Sequence, residues 1–213
     1  MWFSIDGKSV MVSKELALAG RDQPLETATH HDVFGVELKQ PLKDGQQEIM
    51  FGMGCFWGAE KKFWQTEGVI CTVVGYSAGF TPNPTYEEVC SGKTGHNEVV
   101  RVAYDPSVLS LQSLLSIFWQ SHNPTQGMQQ GNDKGTQYRS GIYLCDEPDK
   151  AVAEQSRVVY QQDLEKAGYP QVTTEITLAG PFYYAEDYHQ QYLSKNPQGY
   201  CGLGGTNVAC SDL

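Results

Sequence analysis

Between residues 49 and 64 the apolar pattern changes period, and glycines on both sides of a cysteine mark the change. Residues 49–53 form a short apolar run of strand length. Phe56, Ala59, Phe63 and Trp64 then recur at helical spacing, and Gly68 supplies a stop. The junction is Gly52-Met53-Gly54-Cys55-Phe56-Trp57-Gly58. A strand handed directly to a helix opens a layered α/β unit.

The rest of the chain continues that plan. Residues 69–76 are rich in β-formers, and residues 98–104 alternate as a strand. Ser110 suits the N-cap of a helix that buries Leu111, Leu114, Leu115 and Phe118. Residues 140–145 read as a strand, Pro148 fits the first turn of a helix ending at Gly168, and residues 172–178 read as the last strand. A short helix is expected around 186–195. Two stretches, 77–95 and 122–137, are dense in turn residues and are expected as loops. The order β-α-β-β-α-β-α-β predicts an α/β (α+β) two-layer sandwich with a ferredoxin-like split β-α-β core, a mixed sheet and long loops. Residues 1–47 show no sustained period and are expected to wrap a catalytic domain at 48–195. A glycine-rich tail occupies 196–213, and the whole is expected as a single domain.

Charge narrows the function. The net charge of -10 argues against nucleic acid, whose phosphates need a clustered basic surface, and against anionic membranes. No apolar run reaches the ~18–20 residues of a membrane span. Asp6, Lys8, Lys14 and Glu15 interrupt the N-terminus, so no signal peptide is expected and the expected location is cytoplasmic. Six cysteines, at 55, 71, 90, 145, 201 and 210, could form three disulfides. Without a secretory signal, reactive or buried thiols are the favoured reading. Cys71 and Cys145 fall in expected strands and are expected to be buried. No C-x-x-C pair supports a zinc site, and no metal is expected.

Cys55 is the leading candidate for chemistry. The first turn of a helix carries unpaired N–H groups and partial positive charge, which favour thiolate over thiol. A free cysteine has a pKa of about 8.5, so some such help is needed at neutral pH. Gly54 and Gly58 would allow close approach of a substrate. The same glycines come near a dinucleotide-binding G-x-G-x-x-G pattern but miss it, the third glycine falling one place late. Phe56 and Trp57 point about 100° apart on a helix, so one can face the core while the other lines a surface site. The alternative reading of Cys55 is a small buried hydrophobe.

Gly54-Cys55-Phe56-Trp57-Gly58 resembles the signature of the A-type peptide methionine sulfoxide reductases. Further segments resemble the same family in the same order. They are Gly79-Phe80-Thr81-Pro82-Asn83-Pro84-Thr85-Tyr86, Gly95-His96-Asn97-Glu98, Gln130-Gly131-Asn132-Asp133, Gly135-Thr136-Gln137-Tyr138-Arg139-Ser140 and Asn196-Pro197-Gln198-Gly199-Tyr200-Cys201. The resemblance spans about residues 48–210. It implies reduction of the S epimer of methionine sulfoxide, free or in proteins, with repair of oxidised proteins as the role. It implies Cys55 as nucleophile passing through a sulfenic acid, Cys201 as resolving thiol and Cys210 as the relay to the surface. Thioredoxin is then the external reductant, with no bound cofactor. Glu98 is implied as proton donor, and Tyr86 and Tyr138 as donors to the sulfoxide oxygen. Phe56 and Trp57 are implied around the substrate methyl group, and Asp133 near the site.

The proposed chemistry has its own demands. A sulfoxide oxygen leaves poorly unless protonated, and an ordinary glutamate, with a pKa of about 4.3, has no proton to give at neutral pH. Burial must therefore raise Glu98. Cys201 can meet Cys55 only if the tail folds back, which Gly199, Gly202, Gly204 and Gly205 permit. The competing functions are a thiol peroxidase or disulfide oxidoreductase, and a non-catalytic module that binds exposed methionines. His189, in Tyr188-His189-Gln190-Gln191-Tyr192, could orient a site group or only pack. The expected form is a monomer.

Overall fold

The computed structural model of the chain describes residues 7–211 and Leu213. Residues 1–6, within the expected extension, and Asp212, within the expected tail, lie outside the described residues. The main sheet has six strands: β1 (Gln47–Met53), β2 (Val69–Ser77), β3 (Asn97–Tyr104), β6 (Ser140–Leu144), β7 (Glu175–Leu178) and β8 (Tyr183–Tyr184). Their spatial order is β7-β6-β1-β3-β2-β8. All neighbours are antiparallel except β6 and β7, so the sheet is mixed. The helices are α1 (Phe56–Trp64), α2 (Tyr86–Cys90), α3 (Leu111–Ser121), α4 (Glu147–Lys166) and α5 (Tyr192–Lys195). The central order β6-β1-β3-β2, with α1 after β1 and α3 after β3, is the expected ferredoxin-like two-layer arrangement.

Side-chain alternation sorts the two faces. Ile49, Phe51 and Met53 of β1, Val74 and Tyr76 of β2, and Val100, Val102 and Tyr104 of β3 share one core with helix residues Phe56, Phe63, Leu114, Phe118, Trp119, Tyr160 and Leu164. The opposite parity, Cys71 and Val73, packs against Leu38 with Ala28 and Val36 of the N-terminal segment. That segment thus covers the sheet face the helices leave open. Ser110 accepts from the Ser113 N–H and caps α3, while Asp146 caps α4 with Pro148 in the first turn.

Several local readings differ. Residues 77–95 contain α2, because Thr85 and Glu88 form a reciprocal capping box. Residues 122–137 contain a two-stranded ribbon, β4 (Gln129–Gln130) with β5 (Asp133–Lys134), then a 3-10 turn (Thr136–Tyr138). The strand expected at 172–178 begins at Glu175, since Thr173 bonds instead to Pro124 O. It is not the last strand, as β8 follows at the edge of β2. Cys145 lies past the end of β6 and is exposed, whereas Cys71 is buried as expected. All six cysteines are free thiols. Among the described residues no helix is long and apolar enough to cross a membrane.

Candidate active site

The ladder registers bring the end of β1 and the start of β3 together. Phe51 lies opposite Val100, and Tyr76 opposite Glu98. Glu98 shares parity with Val100 and Val102, so its side chain points to the helix layer. Its carboxyl is buried, and Oε2 accepts the Phe56 N–H at 3.2 Å, closing the first turn of α1. Oε1 has no hydrogen-bond partner among the described residues. Burial, helped by the nearby Asp133 charge, pushes this carboxyl up to about 8 against the pull of the Phe56 N–H. Glu98 therefore keeps its proton at neutral pH, as a proton donor must.

Cys55 is the N-cap residue of α1 and is half-buried. Gly54 precedes it at φ +85°, and a Cβ there would meet the Gln130 side chain at 2.6 Å. Both constraints select glycine. Burial first, then the Glu98 charge, pushes the Cys55 thiol up, while the Trp57 N–H pulls it down. The depression expected from the helix start is thus real but outweighed. A protonated Glu98 carries no charge, which removes the second-largest upward effect and leaves burial with the smaller ones of Asp133 and Cys201.

The remaining expected residues come from four separate elements. Tyr86 opens α2, its N–H donates to Glu186 Oε1 at 2.8 Å, and its ring lies 4.5 Å from that of His189. Tyr138 ends the 3-10 turn and is half-buried. Burial, followed by Glu98, raises both phenols, so each stays an O–H donor. Phe56 and Trp57 diverge. Phe56 is 1% exposed, against Tyr76 and His189. Trp57 is partly open and stacks on Tyr192 at 3.8 Å. Asp133 accepts the Tyr200 hydroxyl at 3.1 Å.

The tail does fold back. A Cβ at Gly58 would lie 3.0 Å from Cys201 Sγ and 2.9 Å from Leu203, so Cys201 rests on the first turn of α1. Farther on, Thr206 is held by the Tyr160 and Tyr169 hydroxyls, at 2.8 and 3.0 Å. Cys210 is half-buried near Asp163 and Ser116, separate from the Cys55 turn.

Two residues without an assigned role from the sequence are central. His189 Nδ1 accepts the Trp57 indole N–H at 3.0 Å and its ring also meets Phe56 and Tyr86. Glu186 takes the Tyr86 N–H on one oxygen and the Tyr76 hydroxyl on the other. For His189 the sequence left open whether it orients a site group or only packs, and Glu186 carried no sequence signal of its own. Among the described residues no group of three or more His, Cys, Asp or Glu side chains is placed to hold a metal ion.

With this geometry in hand, a family model described as peptide methionine sulfoxide reductase matches residues 47–209. The chain belongs to that family. The Nostoc sp. peptide methionine sulfoxide reductase MsrA 2 is 62% identical over 208 residues, covering 98% of this chain and 94% of that protein. Methionine sulfoxide reductase A of Corynebacterium diphtheriae superposes with a TM-score of 0.85 at 45% identity, covering 96% of this chain and 99% of that one. Mxr1 of Saccharomyces cerevisiae in reduced form gives 0.69 at 33% identity, covering 81% and 93%. The fold is thus shared with the Corynebacterium diphtheriae protein over 96% of this chain and with Mxr1 over 81% of it.

Proposed function

We propose that the chain reduces methionine S-sulfoxide to methionine, with Cys55 as the sulfur that takes the oxygen. One observation carries the reading: the Cys55 turn, a buried proton-bearing Glu98 and the Cys201 thiol meet at the first turn of α1. Cys55 Sγ attacks the sulfoxide sulfur as its thiol proton is given up. Glu98 protonates the sulfoxide oxygen and takes that thiol proton in exchange. The oxygen passes to Cys55, so that thiol plus sulfoxide become sulfenic acid plus thioether. Tyr86 and Tyr138 donate to the oxygen as it gains charge. Trp57 faces the methyl group, with Phe56 behind it.

Cys201 then attacks the sulfenic sulfur, forming the Cys55–Cys201 disulfide and releasing water. Cys210 attacks Cys201 in turn, freeing Cys55 and leaving a Cys201–Cys210 disulfide, of which Cys201 is the exposed sulfur and Cys210 is half-buried rather than the surface end expected of it. Thioredoxin, as dithiol, reduces it by exchange. No bound cofactor enters this balance. Cytoplasmic residence and a monomeric state fit the reading. An assay of both sulfoxide epimers with a dithiol reductant tests it. Consumption of the S epimer alone is expected. Turnover of hydrogen peroxide with neither epimer consumed would replace it with a thiol peroxidase.

A further inference from the structure

Residues 7–46 add no strand to the main sheet and no α-helix, yet they grip the body behind both walls of the site. The first grip is Arg21. Its Nη1 donates to Asn83 O at 2.6 Å, and its Nη2 meets Glu88 Oε1 at 2.8 Å. Its backbone N–H donates to Pro82 O at 3.1 Å, and Asn83 Nδ2 answers on Arg21 O at 2.8 Å. Asn83 is held at φ +46°, where a non-glycine residue needs such support. Glu88 is also the residue whose Oε2 accepts the Thr85 N–H and fixes the start of α2. Tyr86 is the first residue of that helix.

The second grip is His31, which is buried. Its Nδ1 accepts the N–H groups of Val33 and Phe34, both at 3.1 Å, so the ring proton sits on Nε2. Nε2 donates to Thr72 Oγ1 at 2.9 Å, and the Thr72 hydroxyl donates to Glu60 Oε1 at 3.2 Å. Glu60, buried on α1 one turn past Trp57, also accepts Gln191 N–H at 2.8 Å and Gln191 Nε2 at 2.6 Å. The Asp32 N–H closes the circuit on Gln191 Oε1 at 3.1 Å. Gln191 is thereby held at φ +47°, two residues after the histidine that accepts the Trp57 indole proton.

We propose that the N-terminal segment is a two-point brace for the reaction site, in which Arg21 sets Tyr86 through Asn83 and Glu88, and His31 sets Trp57 through Thr72, Glu60 and Gln191. The proposal rests on the reading of Tyr86 and Trp57 as substrate-binding groups. Arg21, His31, Glu60 and Gln191 touch no substrate in it and are positioning residues. Both grips give the polar groups they bury specific partners, and some acceptors take two donors: His31 Nδ1 takes the Val33 and Phe34 N–H groups, and Glu60 Oε1 takes the Thr72 hydroxyl and Gln191 Nε2. A docking segment that only covered apolar surface would not need that pairing.

The test uses the full-length protein with free methionine S-sulfoxide and a dithiol reductant. Arg21→Ala with His31→Ala is compared with the milder Arg21→Lys and His31→Gln, under conditions where circular dichroism shows each variant folded. Misplacing binding groups should raise KM about tenfold in the double variant while kcat stays within about threefold. The milder pair should recover most of the loss. Should the double variant not fold, the single Arg21→Ala and His31→Ala variants decide: a raised KM in either supports the brace, and an unchanged KM in both overturns it. A lower Tm with KM unmoved in the double variant reduces the segment to ordinary structural cover and overturns the brace alone. A wild-type protein that turns over no sulfoxide removes the reading of the site and the brace with it.

Discussion

Cys55 and Cys201 lie on either side of Gly58, and they are held there by opposite means. Cys55 is fixed by the fold: a paired strand before it, a helix after it, a glycine at φ +85° and a buried carboxyl beneath the first turn. Cys201 is exposed on a segment with no regular structure, tied at Tyr200 to Asp133 and, six residues on, at Thr206 to Tyr160. A sulfur that must meet a substrate in one geometry gains from a rigid frame, because near-attack placement contributes strongly to rate. A sulfur that must first reach Cys55 and then hand a disulfide onward needs the opposite, a tether whose local opening costs little. In the proposed reaction the two regions divide the steps between them.

The sharpest way to break this division is to remove each sulfur in turn. Cys55→Ser should abolish sulfoxide reduction even in a single turnover, read by rapid quench without reductant. Cys201→Ser should yield one equivalent of thioether at a near-normal rate and then stop with thioredoxin as the reductant. If Cys201→Ser also lost the first turnover, the tail would belong to the rigid half. Glu98→Gln comes next. Loss of a positioned acid should slow the first step by about 10²-fold or more, measured as the single-turnover rate. The sign of the pH effect follows from burial. Glu98 sits at about 8, so wild-type activity should fall as pH rises through 8, and that fall should vanish in the variant.

The smallest effect falls on the boundary between the regions. Gly58→Ala would place a methyl 3.0 Å from Cys201 Sγ and 2.9 Å from Leu203. The tail should shift outward and disulfide formation slow by a few-fold, with the first step within about twofold of wild type. Equal slowing of both steps would show that the tail shapes the substrate site itself.

Most of the rigid half was legible in the sequence. The period change at 49–64 marked β1, α1 and the position of Cys55, and the Ser110 and Pro148 signals marked two helix starts, while the Asp146 cap came from the structure. Glu98 came from the family resemblance alone, and the residues by themselves would have left it a surface carboxylate at a strand start. What was not legible is non-local. The four-residue capping box, Thr85 to Glu88, that makes α2 lay inside a turn-rich stretch, and the two-residue strand β8 exists only because β2 offers an edge. Glu60 repeats on the apolar stripe of α1 at four residues from Phe56, a visible irregularity, but its partners lie at 72 and 191, with His31 one link further on through Thr72. No local pattern announces a hydrogen-bond circuit of that sequence separation. The pull of the helix start on Cys55 was read correctly in kind, while the larger opposing effect of burial needed the structure.

The central claim is that one sulfur, Cys55, receives the oxygen. The most direct measurement is intact and peptide mass spectrometry of the Cys201→Ser, Cys210→Ser protein after one addition of methionine S-sulfoxide, with a sulfenic-acid trap present. The account predicts one trapped oxygen on the Cys55 peptide, matched mole for mole by methionine released. Methionine released with Cys55 unmodified, or with the oxygen trapped on another cysteine, would contradict it.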